Sequence, residues 1–375
     1  MVSKRVVVAP DKFKGCLTAS EVADALAVGL LQTRPDLQVS RLPVADGGDG
    51  TVAAALSRGF AEVKLQASGP TGRRQSVRYA RSGNRALVEL AAVCGLDRLP
   101  DRKPDPLGAS TYGLGEVLHH AVAGGATTVV LGIGGSASSD GGAGMVQALG
   151  ARLLDAEGRD LERGATALTG LHSLDLQSLR RTIAGVSVVV ASDVDNPLLG
   201  SQGAAAVFGP QKGATPEQVD RLEEGLARWA EVVAEATESD FADRPGAGAA
   251  GGTGFAALAL LGAELRPGIE LILDLLDFAG ALVGADLVIT GEGSLDDQSL
   301  SGKAPIGVAR AAARAGVPVV AVAGRSRLTP EQLQRAGIQA TYPLSELEPD
   351  PQRSMANAAP LLRRIGCRIA QDWLA

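Results

Sequence analysis

Leu131 to Met145 reads LGIGGSASSDGGAGM, and the fold follows from how that stretch is parsed. Just before it, Thr128-Val129-Val130-Leu131-Gly132-Ile133 is an apolar run of strand length, the pattern of a strand buried on both faces. The run breaks into Gly134, Gly135, Ser136, Ser138, Ser139, Asp140, Gly141, Gly142 and Gly144, and apolar residues resume from Met145 to Leu149. That is a strand, a loop and a helix start. Glycines let the backbone approach a ligand closely, and exposed amides at a helix start favour an anion. The serines add hydroxyl donors. Asp140 reads either as a metal-linked acid or as the N-cap of a helix beginning at Gly142. An ordinary solvated turn needs fewer glycines and no embedded Ser-Ser-Asp.

Working outward, the same strand-to-loop unit recurs. Arg5–Ala9 runs into Pro10-Asp11-Lys12-Phe13-Lys14-Gly15, followed by a Thr18–Glu21 capping box. Gln38–Val44 runs into Ala45-Asp46-Gly47-Gly48-Asp49-Gly50-Thr51, and Val186–Ala191 into Ser192-Asp193-Val194-Asp195-Asn196-Pro197. Ala285–Thr290 leads to Gly291-Glu292-Gly293-Ser294-Leu295-Asp296-Asp297-Gln298, with Lys303 beyond, and Val317–Ala323 leads to Gly324-Arg325. Open α/β sheets bind ligands at the carboxyl ends of their strands, so these acids, lysines and glycines are the candidate site. Pro245–Gly254 (PGAGAAGGTG) reads equally as a linker or as a phosphate-cradling turn.

Glu62 to Leu90 alternates with period two between turn residues, which predicts antiparallel strands in a different sheet. Both chain ends alternate strand and helix. The simplest architecture is α/β with two domains. A Rossmann-like parallel-sheet domain forms from residues 1–68 and 285–375, and a mixed α/β domain, 69–284, is inserted into it, with the active site expected in the cleft between them.

Composition narrows the function. The chain has 375 residues, of which 48 are glycine, and only 3% are aromatic, so the core is built from small aliphatics. A net charge of −6 with no basic run argues against nucleic acid. Cys16, Cys94 and Cys367 show neither a disulfide framework nor a zinc spacing. Four apolar residues before Pro10 are too few for a signal peptide, and no run of about 18 apolar residues exists to span a membrane, so a cytoplasmic protein is expected. The three histidines, His119, His120 and His172, are poorly placed for a Ser-His-Asp triad. No Walker loop is present, because Gly302-Lys303 is followed by Ala304, and Gly291-Glu292-Gly293 carries an acid that repels phosphate unless a divalent metal intervenes. Glycine loops, loop carboxylates and loop lysines without a usable histidine suit phosphoryl transfer, which needs amides, cations, Mg²⁺ and a carboxylate to receive a hydroxyl proton.

The stretches VAPDKFKGCLTASEVA, PVADGGDGT, GIGGSASSDGGAGM, SDVDNPLLG, FGPQKGA and ITGEGSLDDQSLSGK, in this order over nearly the whole chain, resemble the type I bacterial glycerate kinase family. The resemblance implies ATP-dependent phosphorylation of D-glycerate to 2-phosphoglycerate, with ATP and Mg²⁺ as cofactors and a monomer or homodimer as the working form. Alternatives are phosphorylation at C3 or of another small hydroxy acid, and a non-catalytic nucleotide- or metabolite-binding protein. The roles expected from it are these. Asp193 is the proton acceptor, with Lys14 and Lys303 as catalytic cations. Asp11, Lys14, Asn196 and Arg325 bind substrate. Gly134, Gly135, Ser136, Ser138, Gly291, Gly293 and Ser294 contact ATP, and Asp46, Glu292 and Asp296 position the metal.

Overall fold

The computed structural model describes residues 3–300 and 302–375. Its strands, in chain order, are β1 Arg5–Pro10, β2 Gln38–Arg41, β3 Ala61–Ser68, β4 Arg74–Ser82, β5 Arg85–Glu89, β6 Thr128–Gly132, β7 Arg152–Leu154, β8 Ser173–Asp175, β9 Ser187–Ala191, β10 Glu264–Arg266, β11 Leu287–Leu295, β12 Val319–Ser326 and β13 Ala340–Pro343. They divide between two compact units.

The first unit takes the chain up to Asp46, Ala53–Arg58, and Ile269 onward. Its five strands are all parallel, in the order β13-β12-β11-β1-β2. The β-branched run of β1 suits a central strand. The chain leaves β1 on one side for β2 and builds β11, β12 and β13 on the other, which makes the β1–β11 boundary a topological switch point. Register there runs from Val6 opposite Leu287 to Pro10 opposite Gly291. Helices Ala19–Thr33 and Ala358–Trp373 bury Leu26, Leu30, Leu362, Ile365 and Ile369 in one core with Val6, Val8 and Ile289. Gly29 and Gly366 let these helices touch backbone to backbone, since a Cβ on either would overlap the other helix's main chain.

The second unit takes Gly47–Val52 and Gly59–Gly268. Its six-stranded sheet, β10-β9-β6-β5-β4-β3, is parallel from β10 to β5 and antiparallel at β4 and β3. Leu131, Met145, Val190, Trp229 and Phe255 share its core. β7 and β8 form a separate small antiparallel pair.

The capping boxes at Thr18–Glu21, Thr215–Gln218 and Thr329–Gln332 all form. The units divide at other residues than the expected 68 and 285. Residues 61–68 pair with β4 along their whole length, which draws them into the second sheet. Ile269 packs so closely on Gly307 that a Cβ at the glycine would overlap it, and the chain returns to the first unit at that residue. The strand expected over Gln38–Val44 ends at Arg41, just ahead of Pro43.

Candidate functional site

In the first unit the switch point is lined with carboxylates. The amide of Asp11 donates to the Gly291 carbonyl at 2.8 Å, which fixes Asp11 at the end of β1. Asp11 is 9% exposed. Burial pushes its carboxyl up to about 7; neighbouring Lys12 opposes this, and the charges of Asp46 and Glu292 add to it. Glu292 is also raised, by burial first, against the pull of Ser299 and Lys303 and with Asp296 and Asp46 adding to the rise. Its Oε1 is buried with no hydrogen-bond partner among the described residues. Asp46 is half-buried and acts electrostatically on both.

The expected turn at Gly291–Ser294 is instead strand. β11 continues to Leu295, pairing Glu292 with Ala323 and Ser294 with Arg325 on β12. Gly291 is glycine because a Cβ there would overlap the Val322 carbonyl oxygen, not because a phosphate needs the space. Gly291 and Gly293 therefore lie in a strand, not in a turn. The strand does align Glu292 and Ser294 on one face, two residues apart. Arg325, exposed, donates from Nε to Ser294 Oγ at 3.2 Å. Asp296 accepts from Ser294 Oγ at 3.2 Å and from the Gln298 amide at 3.1 Å. Lys14 is exposed, and Lys303 stands at the start of helix Ala304–Arg314.

In the second unit the glycine loop is packed against protein over most of its length. A Cβ at Gly132 would overlap the Gly47 carbonyl oxygen, and one at Gly134 would lie 3.0 Å from the Gly48 Cα. Cβ atoms at Gly141, Gly142 and Gly144 would strike Trp229, Ala256 and Ser110. The anion expected at the helix start is the protein's own. Asp140, fully buried, accepts from the Ser110 hydroxyl, from the Thr111 amide and hydroxyl, and from the Gly142 and Gly144 amides at the head of helix Ala143–Ala148. It is a cap and a tether, not a metal ligand. Gly134 and Gly135 are exposed and Ser136 lies at their edge, while Ser138 and Ser139 are enclosed with unpartnered hydroxyls. The exposed part of the loop is therefore Gly134–Gly135; Ser136 is 5% exposed and Ser138 fully buried.

Pro245–Gly254 is neither linker nor cradle. Ala250, Gly251 and Gly252 take left-handed conformations, and the Gly141 amide donates to the Gly251 carbonyl, so one glycine segment seals the other. Asp193 is exposed beyond β9, and its Oδ1 accepts from the Gly268 amide at 2.8 Å. Asn196 donates its side-chain amide to the Gln202 carbonyl, so that group is committed to its own loop. Two buried ionisable groups escaped the sequence reading. Glu89, at the end of β5, accepts from the Val52 amide at 2.7 Å. Lys212, 2% exposed, donates to the Ser138 carbonyl. Burial pushes Lys212 down to about 7, against the attraction of Asp140. The only signal of Lys212 in the sequence is its place in FGPQKGA.

Among the described residues no three carboxylate, cysteine or histidine side chains converge as a metal cage, so Asp46, Glu292 and Asp296 are not one. Asp296 is drawn off by Ser294 and Gln298. The unpartnered Glu292 oxygen with Asp46 nearby nevertheless fits Mg²⁺, which takes one or two carboxylates and completes its shell with water and substrate phosphates. Among the described residues no helix is long and apolar enough to cross a membrane.

Residues 6–374 match the model of the glycerate kinase family. The chain is 44% identical to the glycerate 2-kinase of Escherichia coli (strain K12), over 90% of each chain. It is 41% identical to a glycerate kinase of Bacillus subtilis (strain 168), over 98% of this chain and 97% of that one. A crystal structure from Salmonella typhimurium LT2, provisionally designated glycerate kinase 2, superimposes with a TM-score of 0.87 at 42% identity, covering 98% of both chains.

Proposed function

The chain belongs to the glycerate kinase family, and from that premise we propose that it transfers the terminal phosphoryl group of ATP to the C2 hydroxyl of D-glycerate, giving 2-phosphoglycerate. The observation that carries a phosphoryl-transfer site is the pair of buried carboxylates, Asp11 and Glu292, at the switch point, one with an unpartnered oxygen. The choice of C2 is supported by the E. coli relative's name.

In this reading Lys14 and Arg325, both exposed, hold the glycerate carboxylate, the arginine through its planar fork. Asp11 accepts a substrate hydroxyl as a hydrogen-bond partner. Asp193, oriented by the Gly268 amide, takes the proton from the C2 hydroxyl as the new O–P bond forms and the bond to ADP breaks. The backbone of Gly134 and Gly135 with Ser136 contacts the ATP phosphates, and Lys303 adds positive charge. Glu292 and Asp46 are the residues that would hold Mg²⁺, with Asp296 reaching it through water; when bound, the ion neutralises phosphate charge. The enzyme works in the cytoplasm as a monomer or homodimer.

A coupled assay of ADP release with and without D-glycerate tests the reading, and ³¹P NMR of the product separates C2 from C3. Glycerate-dependent ADP with a phosphorus signal coupled to the single C2 proton is the expected result. ADP release indifferent to D-glycerate would sink it.

A further inference from the structure

We propose that Lys212 is a positioning residue for the nucleotide phosphates: from inside the second unit its side-chain nitrogen holds the Ser138 carbonyl, and with it the course of the loop that begins at Gly134–Ser136. The proposal rests on the reading above that Gly134–Ser136 meets the phosphates.

The loop is pinned from several elements. The Leu96 amide donates to the Gly135 carbonyl, the Ala137 amide to the Cys94 carbonyl, the Gly141 amide to the Gly251 carbonyl, and Trp229 Nε1 to the Gly141 carbonyl. All of these use neutral groups. At Ser138 the fold instead uses a side-chain amine that is 2% exposed, and enclosing an ammonium is expensive for the folded state. Asp140 is its counter-charge, and the Asp140 carboxylate is already occupied by Ser110, Thr111, Gly142 and Gly144. Gly251 closes the far side, where a Cβ would overlap the Ser138 carbonyl and lie 2.7 Å from Lys212 Nζ. The hydroxyls of Ser138 and Ser139 are buried without partners, so no other side chain on this stretch takes over the amine's role.

The test compares Lys212→Met, which keeps length and removes charge, Lys212→Gln, which keeps a neutral donor, and Gly251→Ala, which presses a methyl onto the same bond. Circular dichroism and thermal melting select folded variants. For these, KM for ATP and for D-glycerate is measured separately, and ATP affinity is read by titration calorimetry. The expected result is a rise of about tenfold or more in the KM and Kd for ATP in Lys212→Met, with the KM for D-glycerate within about twofold, and a smaller rise of the same kind in the other two. Folded Lys212→Met with an unchanged KM for ATP, or with both KM values moving together, overturns the proposal. Failure of all three to fold assigns Lys212 to the fold and overturns it equally. A wild-type protein without glycerate-dependent ADP release fails the functional reading first, before any variant is compared.

Discussion

Asp11 and Lys212 are buried groups of opposite charge, one in each unit, and burial moves both toward neutrality near pH 7. Their surroundings differ. Asp11 sits among like charges, Asp46 and Glu292, at an open strand end, whereas Lys212 sits against a carbonyl and a carboxylate in a sealed core. The first arrangement gathers carboxylates around a buried acid, and Lys12 opposes them. The second is satisfied within the protein by the Ser138 carbonyl and by Asp140. The two shifts therefore have the same main cause, burial, in unlike surroundings.

Catalysis gives the largest effect that can break this contrast. Asp193→Asn is expected to lower kcat about 10²–10⁴-fold with the fold intact, the usual contribution of a positioned base. Asp11→Asn is expected to cost less in kcat. Steady-state kinetics on both variants decides, and the reverse order would move the base from the second unit to the first.

The pH dependence of stability is the next test. The folded state keeps the Asp11 proton from the ordinary aspartate value up to about 7, where the unfolded chain has released it, so stability falls as pH rises through that window. Lys212 works the other way: between about 7 and 10.5 the unfolded chain holds a proton that the folded state lacks, and stability rises with pH. Urea unfolding followed against pH is expected to lose the acid-side slope in Asp11→Asn and the alkaline slope in Lys212→Met. Unchanged slopes would remove the two groups as its source.

Smaller effects separate packing glycines from permissive ones. Gly291→Ala drives a methyl into the Val322 carbonyl and is expected to cost about 1–3 kcal/mol. At Gly293 the nearest atom lies 3.5 Å from a Cβ, and the same change is expected to stay well below that in denaturant titration. Thr18→Ala, which removes the cap of the helix over Ala19–Thr33, is expected to cost about 1 kcal/mol, read from the same titrations.

Much of the fold was legible because its signals are local. The Thr18, Thr215 and Thr329 caps bind amides three residues on, and the buried strands are runs of valine and leucine. Strand pairing moved the boundaries, since nothing within residues 61–68 says which sheet they join. The candidate site was legible as residue types at strand ends, and the structure places Asp11 and Glu292 together at the switch point. Glycine was the ambiguous letter. Gly291 of GEGS marks close strands, and Gly141 and Gly142 of GGSASSDGG mark packing against Trp229 and Ala256; only tertiary neighbours distinguish these from the exposed Gly134 and Gly135. Lys212 was missed for the same reason, because its partners Ser138 and Asp140 lie more than seventy residues earlier in the chain.

The pairing of Val6 with Leu287 also sets an order of assembly. β1 is made well before β11 and helix Ala358–Trp373, which close over it. The second unit, nearly continuous from Gly59 to Gly268, is complete in the meantime. Because domains tend to fold as units, the second unit can fold before β11 joins β1 in the first sheet.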